Sequence, residues 1–325
     1  MLRELDYSVV IPLYNAERYI VGLINSYQRQ SIKPKQIILI DSTANDKSEL
    51  LLNTISVDES VSVIYEKISK EQFSHSLTRN YAASLSTADV ILFTVQDALP
   101  KTGRMMEMIL DGFTDSTVAC VFARHEAYDH AAIVTKLEID RCFDSFKSMT
   151  GCYTIQNKAN NPDGYTKKPE WFWFNSDVCS AVKRSVFNDI KFRSVPYAED
   201  QVFGKDVIEA GYSKVFANDA IIIHSHDYTL LQNFKRAFDE NRGMMLAVGK
   251  GVRISLVSFI PIVFRNICRD FLQIQKGKYS LSFQMPFYII AYHFIKYAGY
   301  FMGKHYKCLP SYLQTAFSLE RTAYK

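Results

Sequence analysis

The chain is expected to be an α/β protein: a mainly parallel sheet flanked by helices, followed by a mostly α-helical extension. Three observations carry that expectation. Short apolar runs each close on a turn or a lone polar residue, amphipathic stretches separate them, and the charge balance changes abruptly near residue 227. "YSVVIPLYN" reads as a strand ending in a turn, and "AERYIVGLINSYQRQ" has helical spacing. "KQIILIDST" and "SVSVIYEK" read as the second and third strands, and "SLTRNYAASLS" is helical again. It leads into Val90–Thr94, β-branched or aromatic apart from Leu92, which reads as a buried strand that must have stopped by Pro100. Strands joined through helices pair in parallel.

In such a sheet Asn15, Asp41 and Asp97 stand just past strand carboxyl ends, where open α/β sheets bind ligands. One aspartate after a strand is an ordinary helix cap. Three polar groups at equivalent ends instead predict a crevice for a polar, phosphorylated ligand. The sequence has no G-x-x-x-x-G-K-[ST] loop and no G-x-G-x-x-G fingerprint, so no glycine-rich turn is available to cradle phosphate. A metal held by Asp97, helped by Arg79, is the expected substitute.

Composition bounds the alternatives. With 325 residues, 48% hydrophobic and 22% charged, the chain can bury a large core. Its six cysteines form no C-x-x-C pair and no zinc spacing, which points to reduced thiols. The first residues run from charged positions into a strand without the apolar core of a signal peptide, so a cytoplasmic protein is expected.

Residues 1–227 carry 24 Lys and Arg against 30 Asp and Glu, whereas residues 228–325 carry 14 against 4. That places a boundary between a ligand-binding domain, 1–227, and a basic, aromatic region, 228–325. In the latter, "ISLVSFIPIVF" and "MPFYIIAYHFIKYAGYFMG" are interrupted by Pro261, Arg265, Arg269 and Pro286 before either reaches the roughly 20 residues of a spanning helix. The region is expected to lie on an anionic membrane surface through Arg253, Arg265, Arg269, Lys276, Lys278, Lys296, Lys304 and Lys307 and through Phe259, Phe264, Phe287 and Tyr288. The alternative is a core helix pair or a contact between copies in a homo-oligomer. Nucleic acid is not expected as a partner, because no recognised motif accompanies the charge.

Seven blocks, "SVVIPLYNAERYI", "IILIDSTANDKS", "FSHSLTRNYAA", "FTVQDALP", "FNSDVCSAVKRSVF", "YAEDQVFGKDVIEAGYSKVFANDAIIIHSHDYT" and "FKRAFDENRG", occur in the order seen in family 2 glycosyltransferases. The chain resembles the bacterial rhamnosyltransferase-like branch of that family over about three quarters of its length. The resemblance implies a GT-A, Rossmann-like fold. It implies that Pro12, Tyr14 and Asn15 form the first nucleotide loop, that Asp41 recognises a pyrimidine, and that Arg79 and Asn80 lie near the diphosphate. Gln96 and Asp97 match the end of the D-x-D motif, whose first acid is replaced by Val95, so Mg²⁺ or Mn²⁺ would enter with the donor. His224 and His226, two apart on an extended segment, are further metal candidates. Glu199 and Asp200 match the family's "ED" pair, with Asp200 favoured as the general base. Asn175, Ser176 and Trp173 fall where the acceptor loop is expected.

The implied activity is inverting transfer of L-rhamnose from dTDP-rhamnose to a saccharide acceptor, lipid-linked, in O-antigen or capsule synthesis at the inner face of the cell membrane. The alternatives are transfer of another sugar from a UDP donor and a non-catalytic scaffold of the same fold. A nucleotidyltransferase would show a Gly- and Lys-rich loop after the first strand, and "IPLYNAERYI" has none.

Overall fold

The computed structural model describes residues 5–44, 47–147, 152–195, 197–279 and 283–319, except the side chains of residues 277 and 278. Among these residues the chain forms a nine-stranded sheet. The strands are β1 (Tyr7–Leu13), β2 (Gln36–Asp41), β3 (Ser62–Lys67), β4 (Val90–Thr94), β5 (Leu99–Pro100), β6 (Val118–Glu126), β7 (Tyr153–Gln156), β8 (Cys179–Lys183) and β9 (Ser213–Ile223). The helices up to β9 are α1 (Ile20–Gln28), α2 (Ser48–Leu52), α3 (His75–Ser84), α4 (Met105–Asp111), α5 (Ile133–Asp144), α6 (Pro162–Lys167), α7 (Pro169–Trp173), α8 (Arg184–Asp189) and α9 (Glu199–Glu209).

The spatial order is β3-β2-β1-β4-β8-β6-β9-β5, with β7 on β9. The first four strands in sequence pair in parallel, as the alternation of strand and helix requires. The β4–β8 and β8–β6 pairs are antiparallel, and β6 and β9 are parallel again. β2 and β4 are buried at every position, the signature of strands covered on both faces. Their residues alternate between two cores. Ile37, Leu39, Val90 and Leu92 join Leu23 and Ile24 of α1 and Met105 of α4 on one face. Ile38, Ile40, Ile91 and Phe93 join Ala82 of α3, Phe187 of α8 and Phe203 of α9 on the other. Pro12 is tolerated inside β1 because the pairing with β4 has ended at Val10, leaving only the β2 side, where Pro12 faces Ile40.

Reversal of β8 gathers the site. Thr94 at the end of β4 stands opposite Cys179 at the start of β8, so the residues entering β8 share a sheet edge with those leaving β1, β2 and β4. Two reversals later β9 runs with β4 again, and its exit at His224 reaches the same edge.

The chain divides into two compact units. One comprises Met1–Tyr128, Cys142–Ser194 and Glu199–His224, and the other Asp129–Arg141, Val195–Ala198 and Ser225–Lys325. The second unit is built on α10 (Leu230–Val248), α11 (Leu256–Gln273), a π-helical turn at Ile274–Lys278, α12 (Met285–Lys304) and α13 (Ser311–Phe317). Thr229 and Gln232 form a capping box that starts α10, and Gly249, at φ 70°, ends it. α12 lies close on α10 because Gly299 and Gly303 are one turn apart. A Cβ there would stand 2.3 Å from the Phe234 carbonyl and 2.4 Å from that of Phe238.

Several tail residues expected at a membrane surface are used inside this unit instead. Lys296 pairs with Glu138, and the Lys304 ammonium donates to the Ile254 carbonyl at 2.7 Å. Phe259 and Tyr288 pack against buried apolar clusters. Lys278 has its side chain outside the described residues. Among the described residues, no helix is long and apolar enough to cross a membrane.

Candidate active site

At the exits of β1 and β4, Gln96 clasps Tyr14 at two points. The Tyr14 N–H donates to Gln96 Oε1 at 2.8 Å, and Gln96 Nε2 donates to the Tyr14 carbonyl at 2.9 Å. Asn15 then adopts φ 52°, a left-handed conformation that asparagine tolerates better than most side chains, and its N–H donates to Thr43 Oγ1. Asp41 is fully buried with both oxygens engaged: Oδ1 accepts from the Thr43 N–H at 2.8 Å and Oδ2 from the Tyr65 hydroxyl at 2.7 Å. The loops after β1, β2 and β4 are thus fixed to one another before any ligand arrives. Val95, where the first acid of a D-x-D motif would stand, packs against the core.

Asp97 follows with its side chain 16% exposed, its own carbonyl held by the Tyr128 hydroxyl at 2.9 Å. His224 Nε2 stands 3.7 Å from Asp97 Oδ1. That is too long for a hydrogen bond, but it suits two atoms that each sit about 2.1 Å from one ion. A carboxylate with an imidazole, both partly open to solvent, is a donor set that accepts a divalent cation. His226 lies two residues on, within the second unit and exposed.

The densest charge lies where α3, the entry to β8 and the start of α9 meet. Arg79 is 4% exposed; its Nη1 donates to Glu199 Oε1 at 3.1 Å and to the His75 carbonyl at 3.0 Å. Its Nε stands 3.5 Å from Asp177 Oδ2, and neither atom has a hydrogen bond among the described residues. One guanidinium therefore faces Asp177, Glu199 and Asp200, and the cluster is short of positive charge. Burial, outweighing the pull of Arg79, drives the Asp177 carboxyl well above the usual carboxylate range, with Asp200 and Glu199 adding to the rise. Desolvation first and the Glu199 charge second push Asp200 up to about 7, although Asp200 Oδ1 accepts from the Gln201 N–H at 2.7 Å. His75 is lowered by burial. Immediately before the acid pair, Ala198 holds φ 59°, an uncommon conformation for a residue with a Cβ.

The loop before β8 is pinned from α9 and β9. Gln201 Nε2 donates to the Asn175 carbonyl at 2.6 Å, and Lys214, fully buried, donates to that of Phe174. Desolvation lowers the Lys214 ammonium to about 7. A Cβ on Gly204 would stand 2.1 Å from the Trp173 carbonyl, so glycine is what lets α9 approach this loop.

Some residues have partners different from those the resemblance implies. The Asn80 amide exchanges two hydrogen bonds with the Phe192 backbone and anchors the chain after α8. Arg79 is committed to the acid cluster. Asn175 is fully buried against Cys120 and Ser180, and Trp173 is 5% exposed with its Nε1 donating to the Tyr165 hydroxyl at 3.0 Å. Of the three acceptor-loop residues only Ser176 is half-open to solvent. Asp177 and Lys214 were not singled out from sequence; Asp177 stands directly after Asn175 and Ser176, inside the "FNSDVCSA" block.

The sequence comparisons give the class of protein to which this fold and site belong. Residues 8–191 match the family model described as glycosyl transferase family 2, and the chain belongs to that family: it is a glycosyltransferase. It is 27% identical over 306 residues to the O-antigen chain rhamnosyltransferase RfbN of Salmonella typhimurium, covering 93% of this chain and 91% of that protein. It is 28% identical over 309 residues to the O-antigen chain rhamnosyltransferase WbaN of Salmonella anatum, covering 94% and 91%. The fold is similar to that of the mannosyltransferase PcManGT of Pyrobaculum calidifontis, solved with GDP-Man and Mn²⁺. That likeness has a TM-score of 0.59 at 14% identity and covers 93% of this chain and 86% of that one. It is also similar to residues 1–349 of S. aureus TarS, solved with UDP-GlcNAc, with a TM-score of 0.53 at 13% identity and 94% and 92% covered.

Proposed function

We propose that this glycosyltransferase moves L-rhamnose from dTDP-rhamnose, with inversion, to a lipid-linked saccharide in O-antigen or capsule synthesis at the inner face of the cell membrane. The choice of sugar is supported by two rhamnosyltransferase relatives that align over more than nine tenths of their own length. The observation that carries the chemistry is Asp200, a half-buried carboxylate beside Glu199 that desolvation and the Glu199 charge push up to about 7. A base poised near neutrality is both ionised and strong enough to take a proton in the transition state.

In the reaction, the acceptor hydroxyl oxygen forms a bond to the anomeric carbon, and the bond from that carbon to the phosphate oxygen breaks with its electron pair leaving on dTDP. The hydroxyl proton passes to Asp200. One displacement inverts the anomeric centre and needs no covalent sugar–enzyme intermediate. Arg79 pairs with Glu199 at 3.1 Å, while Asp200 Oδ1 accepts from the Gln201 N–H at 2.7 Å. Asp41, fully buried and held by Thr43 and Tyr65, fixes the loop after β2 that the resemblance assigns to the pyrimidine. Asp97 and His224 are the ligands we assign to Mg²⁺ or Mn²⁺. When bound, the ion supplies positive charge to the leaving diphosphate.

Thermal unfolding and transfer assays with dTDP-, UDP- and GDP-sugars, with and without Mn²⁺, test this reading. Saturating dTDP at 100 times its Kd should stabilise the protein by about 2.7 kcal/mol. Asp97→Ala should remove the metal-dependent part. Stabilisation by UDP in preference to dTDP would move the donor to the UDP class, and unchanged metal dependence in Asp97→Ala would remove the metal assignment.

A further inference from the structure

We infer that one face of α11, continued by the start of α12, is a docking surface for an anionic lipid bilayer. The inference rests on the membrane-acceptor reading above and names the surface that would serve it. Leu256, Ile260, Phe264 and Leu272 recur at multiples of four residues along α11 and are 79, 57, 65 and 59% exposed. Val257, at 89%, widens the stripe at its start. At 1.5 Å per residue the stripe runs about 24 Å along the helix. Phe283, Phe287, Ile290 and Phe294 repeat the pattern before and along α12, at 89, 68, 39 and 41% exposure. The two helices are neighbours here, with the Phe259 and Phe294 rings 6.1 Å apart. A scattered exposed leucine needs no explanation, but two stripes at helical spacing on adjacent helices do.

Charge selects the occupant. Residues 249–304 contain a single acid, Asp270, and it is fully buried, held by Arg141 on one oxygen and by His293 on the other at 2.7 Å. Arg253, Arg265, Arg269 and Lys276 are all exposed. The solvent-facing charge of this stretch is therefore entirely positive among the described residues. A two-fold contact between copies would bring those cations together, whereas an anionic lipid surface accepts the cations at its headgroups and the apolar stripe at the acyl boundary. The helix is too polar along its other faces to insert across the bilayer and lies in the interface plane.

Cosedimentation of the full-length protein with phosphatidylglycerol-containing vesicles, against pure phosphatidylcholine, tests this. Binding should require the anionic lipid and fall with salt. Arg265→Gln/Arg269→Gln should weaken it about thirtyfold at low salt, from roughly fivefold for each charge. Ile260→Ser/Phe264→Ser, at exposed positions, should remove the binding that persists at high salt. Equal binding to both vesicle types, or unchanged binding by both variants, overturns the inference. So does a dimer of the native chain, seen by sedimentation velocity, that Ile260→Ser/Phe264→Ser dissociates, since the face would then belong to a second copy. Transfer to a soluble acceptor fragment, measured in parallel without vesicles, separates the two proposals. Its absence with vesicle binding intact would fault the donor and acceptor assignment and leave this surface standing.

Discussion

Two charge clusters, one in each unit, differ in how their carboxylates are paired. In the second unit every carboxylate oxygen of the cluster has a partner: Asp270 takes Arg141 and His293, and Glu138 takes Lys296 and Tyr292. Burial alone would raise Glu138, yet the Lys296 ammonium and its hydrogen bond bring it down to about 2. In the first unit Arg79 faces Asp177, Glu199 and Asp200, with buried Lys214 near Asp200 as a second cation; Asp177 Oδ2 has no hydrogen bond among the described residues, and two carboxyls rise. A balanced network holds a fold together, and an unbalanced one keeps a proton ready to move. The contrast assigns structure to the Asp270 and Glu138 pairs and chemistry to Asp200.

The largest expected effect is on the balanced side. Asp270→Asn removes the charge of a fully buried carboxylate that Arg141 and His293 both hold, and should destabilise the protein by about 3 kcal/mol, read by urea unfolding. Next comes Asp200→Asn, which cannot take a proton. It should fold, bind nucleotide normally and lose about a hundredfold or more in kcat. If Glu199→Gln behaves this way and Asp200→Asn does not, the two acids exchange roles.

The smallest effect belongs to Asp177→Asn. Burial raises its native carboxyl well above the ordinary 3.8, which favours the protonated form that an amide closely replaces. The variant should stay within about 1 kcal/mol of the native chain. The sign of its pH dependence follows. Above the unfolded value the native state holds a proton that the unfolded chain has released, so native stability falls as pH rises from about 4 toward neutrality. Asp177→Asn should lose less over that window, which melting curves at a series of pH values measure.

Much of this was legible in the sequence because it is local. Each strand end that carries Asn15, Asp41 or Asp97 is written in a run of apolar residues and the turn that stops it, and the parallel pairing follows from the intervening helices. The acid cluster is not local. Arg79 and Glu199 are 120 residues apart, and only the reversed β8 brings Asp177 beside them. No periodicity signals that reversal. Residue type does not reveal partners: the polar groups of Asn80, Asn175 and Trp173 hydrogen-bond neighbouring backbone or side chains that the sequence does not name. Lys296 and Lys304 likewise look like surface cations until their partners are seen.

The measurement that bears most directly on the unbalanced cluster is the pH dependence of kcat/KM for transfer by the native enzyme. With Asp200 as base at about 7, the rate should rise about tenfold per pH unit on the acid side and level off above neutrality. The inflection belongs to the coupled acids together rather than to one carboxyl. A profile that is flat down to about pH 5, with an inflection in the ordinary aspartate range near 4, would contradict the assignment of the base to this cluster.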